Sequence, residues 1–427
     1  MERWDVVVVG AGASGLMAAQ AAARTLKAQG QPGAVLLVEG NPKPGKKLLA
    51  TGNGRCNLTN LEASLPHYHG DGALAAPLLE EYTPQRILEE FEALGLLCRA
   101  DSEGRVYPRS LQAAAVLQAL RGACEEAGAI LRCGWGVTGI CREEGGFRLE
   151  NSQGEALWAA RCVLACGGKA SPKHSFSEGG YRLAQGLGHR VTSLRPSLTG
   201  LQSPKKCLRS LKGMRVRAAV SLLRQGEVLR KEKGEVLFGE RGLSGICVFD
   251  LSAYLPEGCR DGEAALDLLE ELSYREVLAF LERQAKAHPR RPAWELFSGA
   301  VNLRVGEELM KELGLPREAL CGELIRQQLR KAAALAKDWR FPVSGVGDWD
   351  SAQVTAGGVP LNEVDSLTME SRRCPGLYLT GELLNIDGDC GGFNLHWAWA
   401  TGLAAGQAAG KRRKGYPWEI TAGRGPF

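Results

Sequence analysis

The hydrophobic pattern is plainest at the start of the chain. Val6-Val7-Val8-Val9 is an unbroken apolar run between Asp5 and Gly10. Such a run marks a parallel strand covered on both faces, where alternation is not needed. Small residues from Leu16 to Ala23 predict a helix, and Ala34-Val35-Leu36-Leu37-Val38 predicts a second buried strand. Residues 84–99 and 110–127 have apolar positions at helical spacing, with Thr83 and Ser110 as candidate N-caps. Five short strands are expected at 129–133, 136–142, 147–151, 156–159 and 162–165. Residues 192–260 are strand-rich, and Gly242-Leu243-Ser244-Gly245 should turn into a strand at 246–251. From Glu263 to about Lys337 the pattern is helical, at 264–272, 274–287, 307–313 and 318–336, with breaks near Pro289, Pro292 and Pro316. The tail returns to α/β character: a strand at 352–359, a strand and turn at 376–382, and a small-residue helix at 395–410.

The turn after the first strand holds Gly10, Gly12 and Gly15 at G-x-G-x-x-G spacing. Gly10 suits a tight turn, Gly12 a close backbone approach to a pyrophosphate, and Gly15 close helix–strand packing. The helix N-terminus adds unpaired N–H groups and the positive end of its dipole. Glu39 ends the second strand 24 residues after Gly15, where a carboxylate can accept from ribose hydroxyls. An acid there fits FAD or NAD and repels the 2′-phosphate of NADP.

The 427 residues are too many for one ordinary domain, and 44% hydrophobic content is enough for real cores. A net charge of +5 does not by itself point to a polyanion. Arg3 and the apolar run to Ala23 imitate a signal peptide, but Asp5 and three glycines at dinucleotide spacing argue against one. With no other apolar stretch of about 18 residues, a soluble, cytoplasmic protein is expected. The 13 cysteines are scattered and never spaced C-x-x-C, so buried thiols rather than disulfides or a redox pair are expected. His67 and His69 form an H-x-H pair without further ligands, and no metal is expected.

Other segments carry candidate chemistry. Pro42 to Asn60 contains TGNGRCN, with close-approach glycines at Gly52 and Gly54 and cations at Lys47 and Arg55. Leu164-Ala165-Cys166-Gly167-Gly168 ends a strand in a glycine pair, as a returning strand under the first glycine turn would. Asp387-Gly388-Asp389-Cys390-Gly391-Gly392-Phe393-Asn394 feeds a helix N-terminus, which can stabilise developing negative charge. Both ends of the chain would then build one cofactor site. The run of Lys205, Lys206, Arg209, Lys212, Arg215 and Arg217 lacks stacking aromatics, and a solvated sheet edge is expected there rather than nucleic-acid contact.

Together Gly10–Gly15, the TGNGRCN turn, Ala165–Gly188, Leu237–Ser252, and the AQVTAGGV, GLYLTGE and DGDCGGFNL pieces resemble the BaiN/YhiN-like flavoproteins. The resemblance implies an α/β fold: a glutathione-reductase-type FAD-binding Rossmann domain with an inserted β-rich domain and a helical subdomain. The expected boundaries are 1–191 with 344–427 for the FAD domain, 192–262 with 338–343 for the β-rich substrate domain, and 263–337 for the helical subdomain. It further implies noncovalent FAD, with Gly10, Gly12, Ala13, Ser14 and Gly15 at the pyrophosphate and Glu39 at the ribose. Lys47, Thr51, Gly52, Arg55, Cys56 and Asn57 would lie along the ribityl chain and ring, and Val137 would reach adenine. Ala165, Gly167, Gly381, Glu382, Asp387, Gly392, Phe393 and Asn394 would complete the cofactor site. Asn385, Phe393 and His396 depart from the family pattern, at the flavin end.

One activity in that family is reduction of a conjugated C=C bond in an oxo-bile acid. The expectation is an FAD-dependent oxidoreductase acting on a small molecule by hydride transfer at flavin N5. His396, Tyr107, Arg109 and His174 are the candidate proton donors or carbonyl binders. NAD(P)H would be a transient donor, because no second glycine fingerprint follows Gly15. The expected partner is a small substrate, with no membrane and no nucleic acid. The competing readings are a flavin oxidase of a small amine and an RNA-binding or RNA-modifying flavoprotein.

Overall fold

The computed structural model describes residues 1–30, 34–174, 179–256 and 258–411; the side chain of His174 lies outside that description. The chain divides into two compact units, Met1–Arg195 with Val354–Phe427, and Pro196–Gln353.

The first unit is built on β1 (Glu2–Val9), α1 (Ala13–Ala28), β2 (Val35–Glu39), β3 (Ile130–Cys133), β4 (Val137–Glu143), β5 (Gly146–Asn151) and β6 (Ala156–Leu164). The sheet order is β3-β2-β1-β6-β5-β4, and a late strand, Leu377–Leu379, also pairs with β6. The pairs from β3 to β6 are parallel, with Val9 opposite both Val38 and Leu164. Val6, Val7 and Val8 are fully buried, as an unalternating run requires. The two strands expected at 156–159 and 162–165 are one. Arg161, which broke the apolar pattern, is buried and donates to the Ala409 carbonyl in the last turn of the C-terminal helix Phe393–Gly410. Thr83 does cap the helix Pro84–Ala93, accepting from Arg86 N–H at 3.3 Å, whereas Gln112 rather than Ser110 precedes the helix Ala113–Ala127.

The C-terminal helix packs on α1 through a glycine stripe. A Cβ at Gly402 would lie 2.6 Å from the Ser14 carbonyl oxygen, and one at Gly410 would lie 2.7 Å from that of Ala22. Between them, one at Gly406 would collide with the Ala18 carbonyl. Glycines four apart thus bring the two backbones together, and their neighbours close the gap with small side chains.

The second unit holds β7 (Leu201–Gln202), β8 (Arg215–Arg224), β9 (Glu227–Phe238), β10 (Gly242–Ser244), α2 (Ile246–Ala253), β11 (Gly262–Asp267), α3 (Tyr274–Ala287), α4 (Leu303–Glu312), α5 (Arg326–Lys337), β12 (Trp339–Val343) and β13 (Gly345–Val346). Its sheet runs β12-β11-β8-β9-β10-β7-β13, with antiparallel neighbours. Three expectations change here. Residues 246–251 form the helix α2, and the helix expected at 264–272 is largely the strand β11. Helices α3, α4 and α5 share one hydrophobic cluster with the sheet, through Val277, Leu309, Ala332, Leu266 and Phe341, so residues 263–337 have no core of their own. The basic run is a sheet edge only in part: Arg215 and Arg217 are exposed and pair with β9 alone, since β11 begins opposite Ala219, whereas Lys205 to Lys212 precede the strand.

Candidate flavin site

The dinucleotide turn sits between β1 and α1. Gly10 has φ +104°, and a Cβ there would lie 2.5 Å from the Ala165 carbonyl oxygen; at Gly15 it would collide with the Gly10 carbonyl. At Gly12 a Cβ would meet no atom of the described residues within 4 Å. Gly10 and Gly15 are therefore glycine for the protein's own packing, and Gly12 borders open space in front of the first N–H groups of α1, those of Ala13 and Ser14. Glu39 is buried and closes this region. Its Oε2 accepts from Ala11 N–H at 2.9 Å, and its Oε1 from the Asn41 backbone and side-chain N–H groups at 2.8 Å. The carboxylate keeps further acceptor positions for a ribose hydroxyl. Trp135 N–H donates to the Glu39 carbonyl at 2.9 Å, which brings the start of β4, at Val137, alongside. Ala165 N–H donates to Val9 O at 2.9 Å, so Ala165 and Gly167 leave the sheet beneath the turn.

The TGNGRCN segment is a tight left-handed turn, with positive φ at Gly52, Asn53, Gly54 and Cys56. Non-glycine residues there cost of order 1 kcal/mol each, and such strain clusters at functional sites. Thr51 Oγ1 donates to Leu48 O at 2.6 Å, Cys56 N–H to Thr51 O at 3.0 Å, and Arg55 Nε to Gly52 O at 3.1 Å. The Arg55 guanidinium lies 5.4 Å from the Tyr107 ring centre, so Tyr107 borders this turn. Burial pushes the Cys56 thiol up to about 12, so it stays protonated at neutral pH. All 13 cysteines are free. Lys47 bridges Glu382 at 2.6 Å, and Glu382 Oε1 accepts from Thr355 N–H at 2.8 Å, joining the segment before the turn to the C-terminal return.

The second specific motif meets the first. Gly392, with φ +105°, caps the C-terminal helix; a Cβ there would be 2.5 Å from the Thr59 carbonyl and 2.8 Å from Asn57 Oδ1. Among the described residues that buried Asn57 oxygen has no hydrogen-bond partner, and it lies beside the N-terminus of a helix. Asn394 braces the loop, accepting from Gly388 N–H at 2.9 Å and donating to Gly388 O at 2.7 Å. Asp387 is buried, and its carbonyl accepts from His69 N–H at 2.7 Å. The H-x-H pair has a role the sequence did not reveal. His67 ends a short 3-10 turn and Tyr68 after it is extended, which puts the histidines on either side of Tyr68 on one side of the chain. His67 Nδ1 and His69 Nε2 accordingly reach the two oxygens of Asp389, at 3.0 and 2.7 Å, while Tyr68 points away and donates to Phe393 O at 3.0 Å. The His67 ring also stacks on Phe393, centres 4.3 Å apart. Burial would raise the Asp389 carboxyl, but the hydrogen bonds from His69 and His67 outweigh it and hold the pKa below the usual range. Among the described residues no cluster of His, Cys, Asp or Glu is arranged to hold a metal.

The four candidate catalytic residues separate. His396 is fully buried inside the C-terminal helix, its Nδ1 2.8 Å from Thr59 Oγ1. Burial lowers its pKa to about 4, so it is neutral at pH 7 and sealed from a substrate. It braces the helix start and is not the proton donor the sequence suggested. Tyr107 is half-buried at the turn, and Arg109 is exposed. The side chain of His174 lies outside the described residues.

These features fit a dinucleotide flavin: open space at Gly12, a carboxylate at Glu39, a strained turn, and an orphaned acceptor beside a second helix N-terminus. A Rossmann unit so equipped is that of an FAD-dependent oxidoreductase. Residues 4–408 match the HI0933-like protein Rossmann domain, and the chain belongs to that family. It is 36% identical over 409 residues to a 3-dehydro-bile acid delta(4,6)-reductase of Clostridium scindens, covering 95% of this chain and 98% of the relative. It is 30% identical over 411 residues to a ribosomal RNA dihydrouridine synthase of Escherichia coli K12, at the same coverages. Among solved structures, a 3-ketosteroid delta1-dehydrogenase from Sterolibacterium denitrificans shares the fold, with TM-score 0.50 and 16% identity over 96% of this chain and 100% of that one. Among the described residues no helix is long and apolar enough to cross a membrane.

Proposed function

We propose that this protein reduces a carbon–carbon double bond conjugated to a carbonyl. The observation that carries this reading is that two relatives, each covered over 98% of its length, are named for one reaction class on unlike substrates. A 3-oxo bile acid with a Δ4 double bond is an enone, and uridine presents its C5=C6 bond to the C4 carbonyl. Conjugate reduction of such a bond would deliver hydride to the carbon β to the carbonyl and a proton to the α carbon.

FAD supplies the hydride when bound. The chain's own residues hold and orient. The first N–H groups of α1 would hold the pyrophosphate and Glu39 the ribose, and the N-terminus of the C-terminal helix would stabilise negative charge developing on the ring. Tyr107, beside the TGNGRCN turn, is the hydroxyl we assign to the substrate proton or carbonyl, with Arg109 two residues on along the same strand exit. NAD(P)H is the proposed electron donor, binding transiently.

The experiment is anaerobic reduction of the flavoprotein followed by a panel of conjugated carbonyls, including a 4-ene-3-oxo steroid, an oxo-bile acid and uridine-containing RNA. Reoxidation by a member of the panel is expected. Failure with all of them, combined with flavin reduction by an amine and peroxide formation in air, would replace this reading with an amine oxidase. Bleaching by NADH or NADPH in the same cuvette tests the donor.

A further inference from the structure

We propose that the second unit carries a phosphodiester-binding cleft for single-stranded RNA, walled by Lys206, Arg209 and Arg241. This rests on the reaction proposed above only in naming the substrate that carries the double bond; the binding claim stands on the cleft itself.

From Pro196 to Gly226 the chain has seven Lys and Arg residues and no Asp or Glu: Lys205, Lys206, Arg209, Lys212, Arg215, Arg217 and Arg224. The fold sorts them. Arg215 and Arg224 are on β8 and are paired with Glu235 and Asp261. Lys205 is occupied: its Nζ is 2.8 Å from Glu312 and 2.6 Å from the Arg340 carbonyl, over the Trp339 and Phe341 rings. Lys212 pairs with Glu240 at 2.7 Å. Lys206 and Arg209 are exposed, make no ion pair among the described residues, and share a cleft of about 690 Å³ with Arg241, which is likewise exposed and unpaired.

The cleft forms where three short strands end together. Gln202 closes β7, Arg241 precedes β10, and Ser344 precedes β13. Ser203 N–H donates to the Arg241 carbonyl and Ser344 N–H to the Gln202 carbonyl, both at 2.9 Å, so the ladder holds the walls at fixed spacing. The only carboxylate in the lining is Glu240, already paired.

The lining also decides the ligand class. It has cations, an amide, hydroxyls and one proline, but no aromatic or large aliphatic side chain. A steroid body needs large apolar side chains around it, which this cleft does not provide. Bases need aromatic faces to stack on, which it also lacks. What remains is the charged, sequence-independent backbone of a nucleic acid, gripped by phosphate contacts that position without reading sequence.

The test uses the full-length, FAD-loaded protein and a labelled uridine-rich single-stranded RNA, with affinity followed by anisotropy from about 50 to 200 mM salt. Wild-type protein should bind, with affinity falling as salt rises. Lys206→Glu/Arg209→Glu/Arg241→Glu should weaken binding at least about tenfold at low salt. It should also flatten the log–log salt slope by about two, since each single-strand phosphate contact contributes roughly 0.7. Arg215→Glu/Arg217→Glu, a similar charge change on the sheet, should keep the wild-type slope. Flavin content and melting temperature check that the triple variant folds; if it does not, Arg241→Gln alone should flatten the slope by about 0.7. No RNA binding by wild-type protein at low salt, or a triple variant with wild-type affinity and slope, overturns the proposal. RNA binding without reoxidation by any conjugated carbonyl would leave this cleft standing and remove the reaction reading.

Discussion

Gly10 and Gly12 lie two positions apart and differ in what a methyl group would meet. Ala at Gly10 must adopt φ +104° and press against the Ala165 carbonyl at 2.5 Å. Gly12 has φ −85°, ordinary for any residue, and no atom of the described residues within 4 Å of its Cβ position. Gly12→Ala should therefore fold with stability within about 0.5 kcal/mol of wild type, yet bind flavin at least about tenfold more weakly. Gly10→Ala should lose soluble protein. Flavin absorbance per protein and the melting curve of the apoprotein separate the two cases; a Gly12→Ala protein that retains full flavin would remove Gly12 from the cofactor's path. At the same scale, Tyr107→Phe keeps the ring that Arg55 faces and removes only the hydroxyl. Flavin content should stay normal while single-turnover reoxidation by a conjugated carbonyl falls about a hundredfold or more. Equal rates would take the proton-donor role from Tyr107. Such glycines are legible in sequence because the backbone geometry admits no other residue. The Asp389 clamp was not legible: its histidines lie 320 and 322 positions away, and no local pattern announces the partner.

At the scale of elements, a short apolar run does not declare its own secondary structure. Ile246-Cys247-Val248-Phe249 has strand-like composition, but after Gly245 it winds into α2 and buries Val248 and Leu251 against the sheet. Gly262–Asp267 has the Ala, Leu and Glu of a helix, and is held as a strand by ladders to β8 on one side and β12 on the other. Long buried runs such as Val6–Val9 were legible because covered parallel strands need no alternation. The small-residue character of the C-terminal helix was legible too, but not its partner. The glycine stripe against α1 gives a paired prediction. Gly122 lies inside the helix Ala113–Ala127 with open space at its Cβ, so Gly122→Ala should stabilise by about 0.5–1 kcal/mol. Gly406→Ala improves helix propensity equally but drives a methyl into the Ala18 backbone, and should cost about 1–3 kcal/mol net. Thermal melts of the two variants should move in opposite directions. A stabilised Gly406→Ala would mean that the two helices are not in backbone contact.

At the scale of the whole molecule, two separate cores imply that heat or acid need not unfold the chain in one step, so each unit requires its own signal. For the first unit, flavin release is that signal, and buried titratable groups set its acid limit. Ser371, His189 and Glu363 form a hydrogen-bonded row, with Ser371 Oγ 2.8 Å from His189 Nε2 and His189 Nδ1 2.9 Å from Glu363. The row has the order of a hydrolytic triad, but all three are buried and Ser371 Oγ already accepts from Arg373 and Cys374 N–H groups. It is structural. Burial would raise the Glu363 carboxyl, but Arg190, Arg373 and His189 outweigh it and bring it down to about 2. Its contribution is complete above the ordinary carboxylate pKa and is lost as pH falls from about 4.5 toward 2. His396 acts earlier. Its pKa of about 4 in the folded chain lies below the ordinary 6.5, so the unfolded chain takes up the proton first and stability falls between pH 6.5 and 4. A shift of that size corresponds to roughly 3 kcal/mol, lost by about pH 4. His396→Asn, which keeps a polar partner for Thr59 without a titrating ring, should be less stable than wild type at pH 8 but should lose less between pH 6.5 and 4. The check is the flavin-release midpoint across that range in both proteins. Parallel curves would mean that His396 does not set this limb of the profile, and steepening confined to pH below 4.5 would assign the acid limit to Glu363.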